Sequence, residues 1–296
     1  MYLSGSITAL ATPFTVDGEI DFSAWERLLE AQLAGGTRAV VVAGSTGEAA
    51  ALSDPEYARL IETAASWIGG RIPVLAGTGL SGTDKTVAQT RLARESGADI
   101  ALVVTPPYVR PTQAGLVAHY QQVAEQGGLP VVLYNVPGRT GCDLLPETVA
   151  ELCIHPNIVG LKEARGDESR WEGLYPLASA RFALLSGDDP TFVRAMRGGA
   201  AGVISVASNL LPRAFAEVCR LLENGQLETA EAFDRRLRPV YDFLGAESNP
   251  IPLKAVLRRL GIGTGLRLPL VSLPVEHAET VDRIADLCRD IETQLQ

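Results

Sequence analysis

With 296 residues, 46% of them hydrophobic, the chain is long enough to bury a large core, either as one big α/β domain or as two ordinary ones. Its formal charge of −9 offers no basic footprint for nucleic acid or for an anionic membrane surface, so neither partner is expected. Residues 1–14 hold no basic segment ahead of an apolar stretch, and no run of about eighteen apolar residues occurs, so neither export nor membrane spanning is signalled and a soluble, cytoplasmic protein is expected.

Short apolar runs recur along the chain at residues 7–10, 39–43, 73–76, 100–105, 131–135, 158–162, 182–186 and 203–206, with helix-forming segments between them. The first intervening segment places Asp21 ahead of Trp25, Leu28 and Leu29, and the second opens on Ser53 with Glu56 three residues later, a capping box. Several segments close on glycine, at Gly35-Gly36, Gly69-Gly70, Gly97, Gly127-Gly128 and Gly198-Gly199, as helix C-terminal caps do. The runs are near-continuously apolar rather than alternating, which suits strands covered on both faces. Eight strand-helix repeats predict a parallel sheet with right-handed crossovers that closes on itself, so the fold expected over residues 1–224 is α/β, a TIM (β/α)8 barrel. Beyond Gly225 no strand-like run appears; residues 227–244, 253–260 and 280–291 are amphipathic or helix-forming, which predicts a C-terminal helical domain over 225–296.

Cys142, Cys153, Cys219 and Cys288 lack a CxxC spacing in a chain too large to need staples, and are expected as reduced thiols. His119, His155 and His277 form no ligand pair, so no metal and no cofactor are expected. The chemistry is sought where barrel strands end. The sixth run ends in Lys162, one of only three lysines beside twenty-three arginines. An amine there can be desolvated, its pKa lowered, and used as a nucleophile; the ordinary alternative is a lysine that ends a strand in solvent. The fifth run ends in Tyr134-Asn135, placing a phenol acid/base on the neighbouring strand, a pairing that suits Schiff-base chemistry. The second run ends in Gly44-Ser45-Thr46-Gly47-Glu48, with hydroxyls and amides suited to a carboxylate, and the fourth in Thr105-Pro106-Pro107-Tyr108. Ser45 and Tyr108 could extend a proton relay from Tyr134, and Arg139 in the loop after the fifth run could clamp a carboxylate.

Gly77-Thr78-Gly79-Leu80-Ser81-Gly82 matches the GxGxxG dinucleotide pattern. It follows the third strand, and no acidic residue ends the next one, so the match lacks its confirming context. GxxxxGK and GxSxG are absent.

Residues 44–48, 105–111, 134–141 and 161–164, with Ser186-Gly187-Asp188-Asp189, Asn249-Pro250-Ile251-Pro252 and Leu266-Arg267-Leu268-Pro269, together resemble the dihydrodipicolinate synthase family, within the N-acetylneuraminate lyase superfamily. The resemblance covers nearly the whole chain. It implies a pyruvate-dependent class I lyase on a TIM barrel with a helical C-terminal domain, usually a homotetramer built as a dimer of dimers. By the resemblance, Lys162 forms the Schiff base with pyruvate, Tyr134 exchanges protons beside it, and Ser45 and Tyr108 complete the relay, Tyr108 reaching into a neighbouring subunit's site. Thr46, the main chain of Ile204, and Gly187 contact substrate, and Arg139 binds the carboxylate of L-aspartate 4-semialdehyde.

Two departures matter. Ser45 stands where the synthases usually carry threonine and the related sialic-acid lyases carry serine, while Arg139 favours the semialdehyde over sugar acids; a lyase for sialic acid or a 2-keto-3-deoxy sugar acid is therefore the alternative, and a non-catalytic carboxylate or nucleotide binder a more distant one. In lysine-inhibited members, polar or acidic residues match Ala49, Asp54, Tyr57, Ser81 and Lys85, and a tyrosine matches Pro107. Lys85 replaces a carboxylate, so weak or absent lysine feedback is expected.

Overall fold

The computed structural model describes residues 2–296. Each apolar run forms a strand: β1 Gly5–Ala9, β2 Ala39–Val42, β3 Val74–Gly77, β4 Ile100–Val104, β5 Val131–Asn135, β6 Ile158–Glu163, β7 Ala183–Ser186 and β8 Gly202–Ser205. Neighbours pair in parallel all the way round, and β8 returns to β1 to close the barrel. The largest departure from the expected limits is at β1, which begins at Gly5 rather than Ile7. Gly5 and Ser6 carry no apolar signal, yet they pair with Gly202 and Val203 at the closing seam. A Cβ on Gly202 would stand 2.3 Å from the Gly5 carbonyl oxygen, so only glycine lets these two strands meet.

Both faces of every strand are occupied. Inward residues, among them Ile7, Val41, Leu75, Leu102, Val132, Leu185 and Ile204, fill the barrel. Outward residues such as Val40, Val42, Val103, Leu133, Leu161 and Val203 pack against the surrounding helices. At about 1.5–3 kcal/mol for each fully buried branched side chain, this double burial is what makes four-to-six-residue strands worthwhile. The expected caps form: Asp21 accepts from Ala24 N at 2.9 Å, and Glu56 accepts from Ser53 N at 2.9 Å to complete the capping box of helix Asp54–Ile68.

The first two glycines of the GxGxxG run serve close packing, while Gly82 has open space where a side chain would stand. A Cβ on Gly77 would lie 2.3 Å from the Ala43 carbonyl oxygen and one on Gly79 2.5 Å from Val104 N, so both are required where β2, β3 and β4 crowd together.

After β8 come helix Pro212–Glu223 and the C-terminal helices Leu227–Leu244, Ile251–Arg259 and Ala278–Thr293. Leu237, Val240, Leu253, Val256, Ile284 and Ile291 of these helices join the same apolar cluster as the outer faces of the strands. Glu292 accepts from Arg213 N and Ala214 N at 3.2 and 3.0 Å, satisfying the first turn of helix Pro212–Glu223 with a negative charge where its dipole favours one. Phe215, fully buried on that helix, stacks on Phe192 at 5.2 Å and meets Tyr241 edge-on at 6.1 Å, linking barrel to appendage. Phe215→Ala is expected to destabilise the protein by about 3–5 kcal/mol, read as a lowered denaturant midpoint; an unchanged midpoint contradicts the shared core.

Candidate active site

Strand alternation sends Leu161 and Glu163 outward to the helices and leaves Lys162 pointing into the barrel. Tyr134 is its register partner on β5. The two side chains are in contact, with Lys162 Nζ 4.5 Å from the centre of the Tyr134 ring. Lys162 is 5% exposed. Burial lowers its amine from the ordinary 10.5 to about 8; the charge of Asp189 opposes that fall and the charge of Arg139 adds to it. At pH 7 about a tenth of the amine is then unprotonated, against roughly one molecule in three thousand at the ordinary value. Burial also raises the Tyr134 hydroxyl, against the opposing influence of Arg139 and of a hydrogen bond with Ser45. The phenol therefore stays protonated, ready to donate to an oxygen leaving the carbon attacked by the amine.

Gly187, just after β7, lies against the lysine stem. Its N–H donates to the Glu163 carbonyl at 2.7 Å, and a Cβ there would stand 2.7 Å from Lys162 Cε. A side chain at 187 would push the lysine stem aside. Ile204 of β8 is fully buried in the barrel interior. Ser45 is exposed at the mouth and Thr46 is buried beside it. Thr46 Oγ1 accepts from Asn249 Nδ2 at 2.9 Å, and Arg139 Nη2 donates to the Asn249 carbonyl at 3.0 Å. One residue of the C-terminal segment thus joins the second-strand turn to the arginine after the fifth. Arg139 sits in the single helical turn Pro137–Thr140, exposed and without a carboxylate in contact.

Tyr108 is not brought to this group. It is 92% exposed with φ of 75°, its N–H donating to the Thr140 carbonyl at 3.2 Å.

Sequence reasoning gives no individual role to three neighbours of this group, Asp189, Asn249 and Glu48, each of which enters it only within a motif. Asp189 holds the end of β8 by accepting from Val206 N and Ala207 N at 3.2 and 2.8 Å, while its buried Oδ1 has no hydrogen-bond partner. Burial raises its carboxyl to about 6 against those backbone bonds. Asn249 was singled out only as part of a motif, and its Oδ1 is likewise buried and unpartnered. Glu48, at the end of the second-strand turn, is buried and ion-paired with Lys254. The outward neighbour of the lysine, Glu163, accepts from Arg170 Nε at 2.8 Å and from Asn135 Nδ2 at 3.1 Å, and Arg170 reaches on to Asp143 at 2.7 Å. This buried network locks the ends of β5 and β6 in register. Among the described residues no group of three or more histidine, cysteine, aspartate or glutamate side chains is arranged to hold a metal ion, and no helix is long and apolar enough to cross a membrane.

Residues 2–287 match the model of the dihydrodipicolinate synthetase family. The chain is 64% identical to 4-hydroxy-tetrahydrodipicolinate synthase of Xanthomonas axonopodis pv. citri, over 96% of this chain and 94% of that one. It is 62% identical to the protein of the same name from Stenotrophomonas maltophilia, over 96% of both. Among solved structures it is similar to the chloride-inhibited dihydrodipicolinate synthase of Acinetobacter baumannii complexed with pyruvate, with a TM-score of 0.94, 40% identity, and 97% and 99% of the two chains covered. A monomeric dihydrodipicolinate synthase variant gives the same TM-score at 38% identity, with 97% of each chain covered.

The desolvated amine can be titrated directly. Carbamylation of Lys162 by cyanate, followed by mass spectrometry, is expected to accelerate with pH and level off above about 8, the free-amine limb. In Asp189→Asn that limb moves to lower pH, because the charge that favours the protonated amine is gone. A limb above pH 10 contradicts the assignment.

Proposed function

The chain belongs to the dihydrodipicolinate synthetase family, and from that premise we propose how the site residues divide the reaction. It is a Schiff-base-forming lyase of the class I aldolase type, condensing pyruvate with L-aspartate 4-semialdehyde to 4-hydroxy-tetrahydrodipicolinate in diaminopimelate and lysine biosynthesis. The observation that carries the assignment of roles is the desolvated Lys162 amine in contact with Tyr134, its stem confined by Gly187.

Lys162 Nζ adds to the keto carbon of pyruvate, and Tyr134 supplies the proton with which the carbinolamine oxygen leaves as water. The resulting iminium draws electrons from the adjacent methyl group. That group loses a proton to the Tyr134 phenolate left by the dehydration and becomes an enamine, whose carbon attacks the aldehyde as the new alkoxide oxygen takes the proton from Tyr134. The amino group of the semialdehyde then adds to the imine carbon, closes the ring and expels Lys162 as the free amine. The protonated imine is the electron sink, so the chemistry calls for no cofactor. Ser45, exposed at the mouth, links the phenol to solvent. Thr46 and the main chain of Ile204 hold the pyruvate carboxylate, Gly187 lines the same space, and Arg139 takes the semialdehyde carboxylate, its guanidinium already turned toward Asn249.

Tyr108 belongs to the same relay across an interface. What supports this reading is a tyrosine held 92% exposed in the left-handed region, next to the half-exposed Val109. We infer a homotetramer built as a dimer of dimers that works in the cytoplasm.

Borohydride in the presence of pyruvate is expected to add a covalent adduct to Lys162 and to no other residue; absence of the adduct refutes the assignment. Arg139→Met should keep that adduct while losing roughly ten- to a hundredfold in kcat/KM for the semialdehyde, the worth of a charge-assisted carboxylate contact. A coupled assay offering sugar acids is the discriminating arm, since efficient sugar-acid cleavage contradicts the second substrate.

Lysine feedback is expected to be weak or absent. Lys85 is exposed where an amine effector needs a counterion, and the buried Tyr57 hydroxyl is committed to the Gly77 carbonyl at 3.0 Å. Inhibition by lysine at low concentration contradicts this.

A further inference from the structure

Two of the three lysines in this chain are buried, and the reaction uses only one of them. The other, Lys254, lies on helix Ile251–Arg259 with its amine over the Phe14 ring at 4.2 Å and ion-paired with Glu48. Glu48 closes the turn that presents Ser45 and Thr46: Gly47 N and Glu48 N donate back to the Gly44 and Ser45 carbonyls at 3.0 and 3.2 Å. Its φ of 53° puts a non-glycine residue in the left-handed region, a conformation that persists only where the surroundings impose it.

The surroundings that do so come from the far end of the chain. One Glu48 carboxylate oxygen takes Lys254 Nζ and the other accepts from Arg267 N at 3.0 Å. The Arg267 guanidinium in turn donates to the Ala51 carbonyl and to Glu56, both at 2.9 Å, just beyond the turn. Asn249 holds Thr46 itself. The segment therefore grips the turn at its second hydroxyl residue, at its last residue and just past its end.

We propose that the segment from Asn249 to Arg267 is a positioning part of the pyruvate site, acting through the buried Glu48–Lys254 ion pair on the turn that carries Ser45 and Thr46. The proposal rests on the assignment of Thr46 to pyruvate. A buried carboxylate and a buried ammonium depend on each other for solvation, so losing either charge strands its partner and frees Glu48 from the backbone geometry that aims Thr46. The lysine nucleophile on β6 shares no hydrogen bond with this pair, so the effect falls on pyruvate capture rather than on the later steps.

The test compares Glu48→Gln and Lys254→Met with the wild type in the full chain, by steady-state kinetics in both substrates and borohydride trapping at low pyruvate. Each variant is expected to raise the pyruvate KM about tenfold or more, as misplacement of a binding group does, and to slow trapping in step. The semialdehyde KM and the kcat at saturating pyruvate should stay within about threefold of wild type. The double variant Glu48→Gln/Lys254→Met, which strands no charge, should lose less than the two single effects combined. A wild-type pyruvate KM in both folded single variants overturns the proposal, as does loss confined to kcat. If neither single variant folds, Glu48→Gln/Lys254→Gln carries the test: a pyruvate KM raised by about threefold or more supports the proposal, and a smaller change overturns it. A wild type that traps no pyruvate imine instead refutes the underlying assignment, and the proposal with it.

Discussion

A primary amine attacks a carbonyl only while it carries no proton, and the top of this barrel is arranged around keeping Lys162 out of water. Eight short strands closed into a ring provide a dry interior, and one residue near the end of β6 points into it. Burial, helped by the charge of Arg139, lowers the amine, while Asp189 sets a limit by favouring its charged form. These opposing influences on one nitrogen leave part of the amine unprotonated near neutrality. Tyr134 is desolvated by the same interior and keeps its proton for the same reason. Gly187 completes the arrangement by having no side chain where the lysine stem must lie.

A dry interior cannot by itself aim the groups around the amine, and that task falls to charges buried outside the ring. Glu163 follows Lys162 in sequence but faces the opposite way, where Arg170 and Asn135 bind it, both also donating to Asp143, and hold β5 and β6 level. On the other side, Glu48 with Lys254 and Arg267 secures the turn after β2. Each cluster is costly to desolvate and tolerable only because its members satisfy one another, which makes it a strong constraint on local geometry and a weak source of net stability.

Much of this could be foreseen. All eight strands were legible because double burial writes a continuous apolar run, whereas the Gly5-Ser6 start of β1 was invisible because seam pairing with Gly202 uses backbone and no apolar side chain. The C-terminal helices were legible from their amphipathic spacing, and Ser53-Glu56 from local capping chemistry. The GxGxxG run shows the opposite case: its first two glycines, Gly77 and Gly79, are required by the crowding of three strand ends, a demand that imitates a phosphate loop in one dimension. Lys162 and Tyr134 could be named because strand order makes their positions neighbours. Tyr108, equally conspicuous in sequence, lies outside the group its own chain assembles.

The sequence by itself determined the order of the elements and the places where the strands end, since these depend on local periodicity and on neighbours a few tens of residues apart. Only the tertiary structure decided that Asp189 acts on that amine, that Asn249 stands between Thr46 and Arg139, and that Glu48 is held by Lys254 across 206 positions of chain. Polar pairings of that range leave no periodic trace. They arise where loops from separate strands and a late helix converge, and a buried charge there takes whichever partner the packing brings within reach.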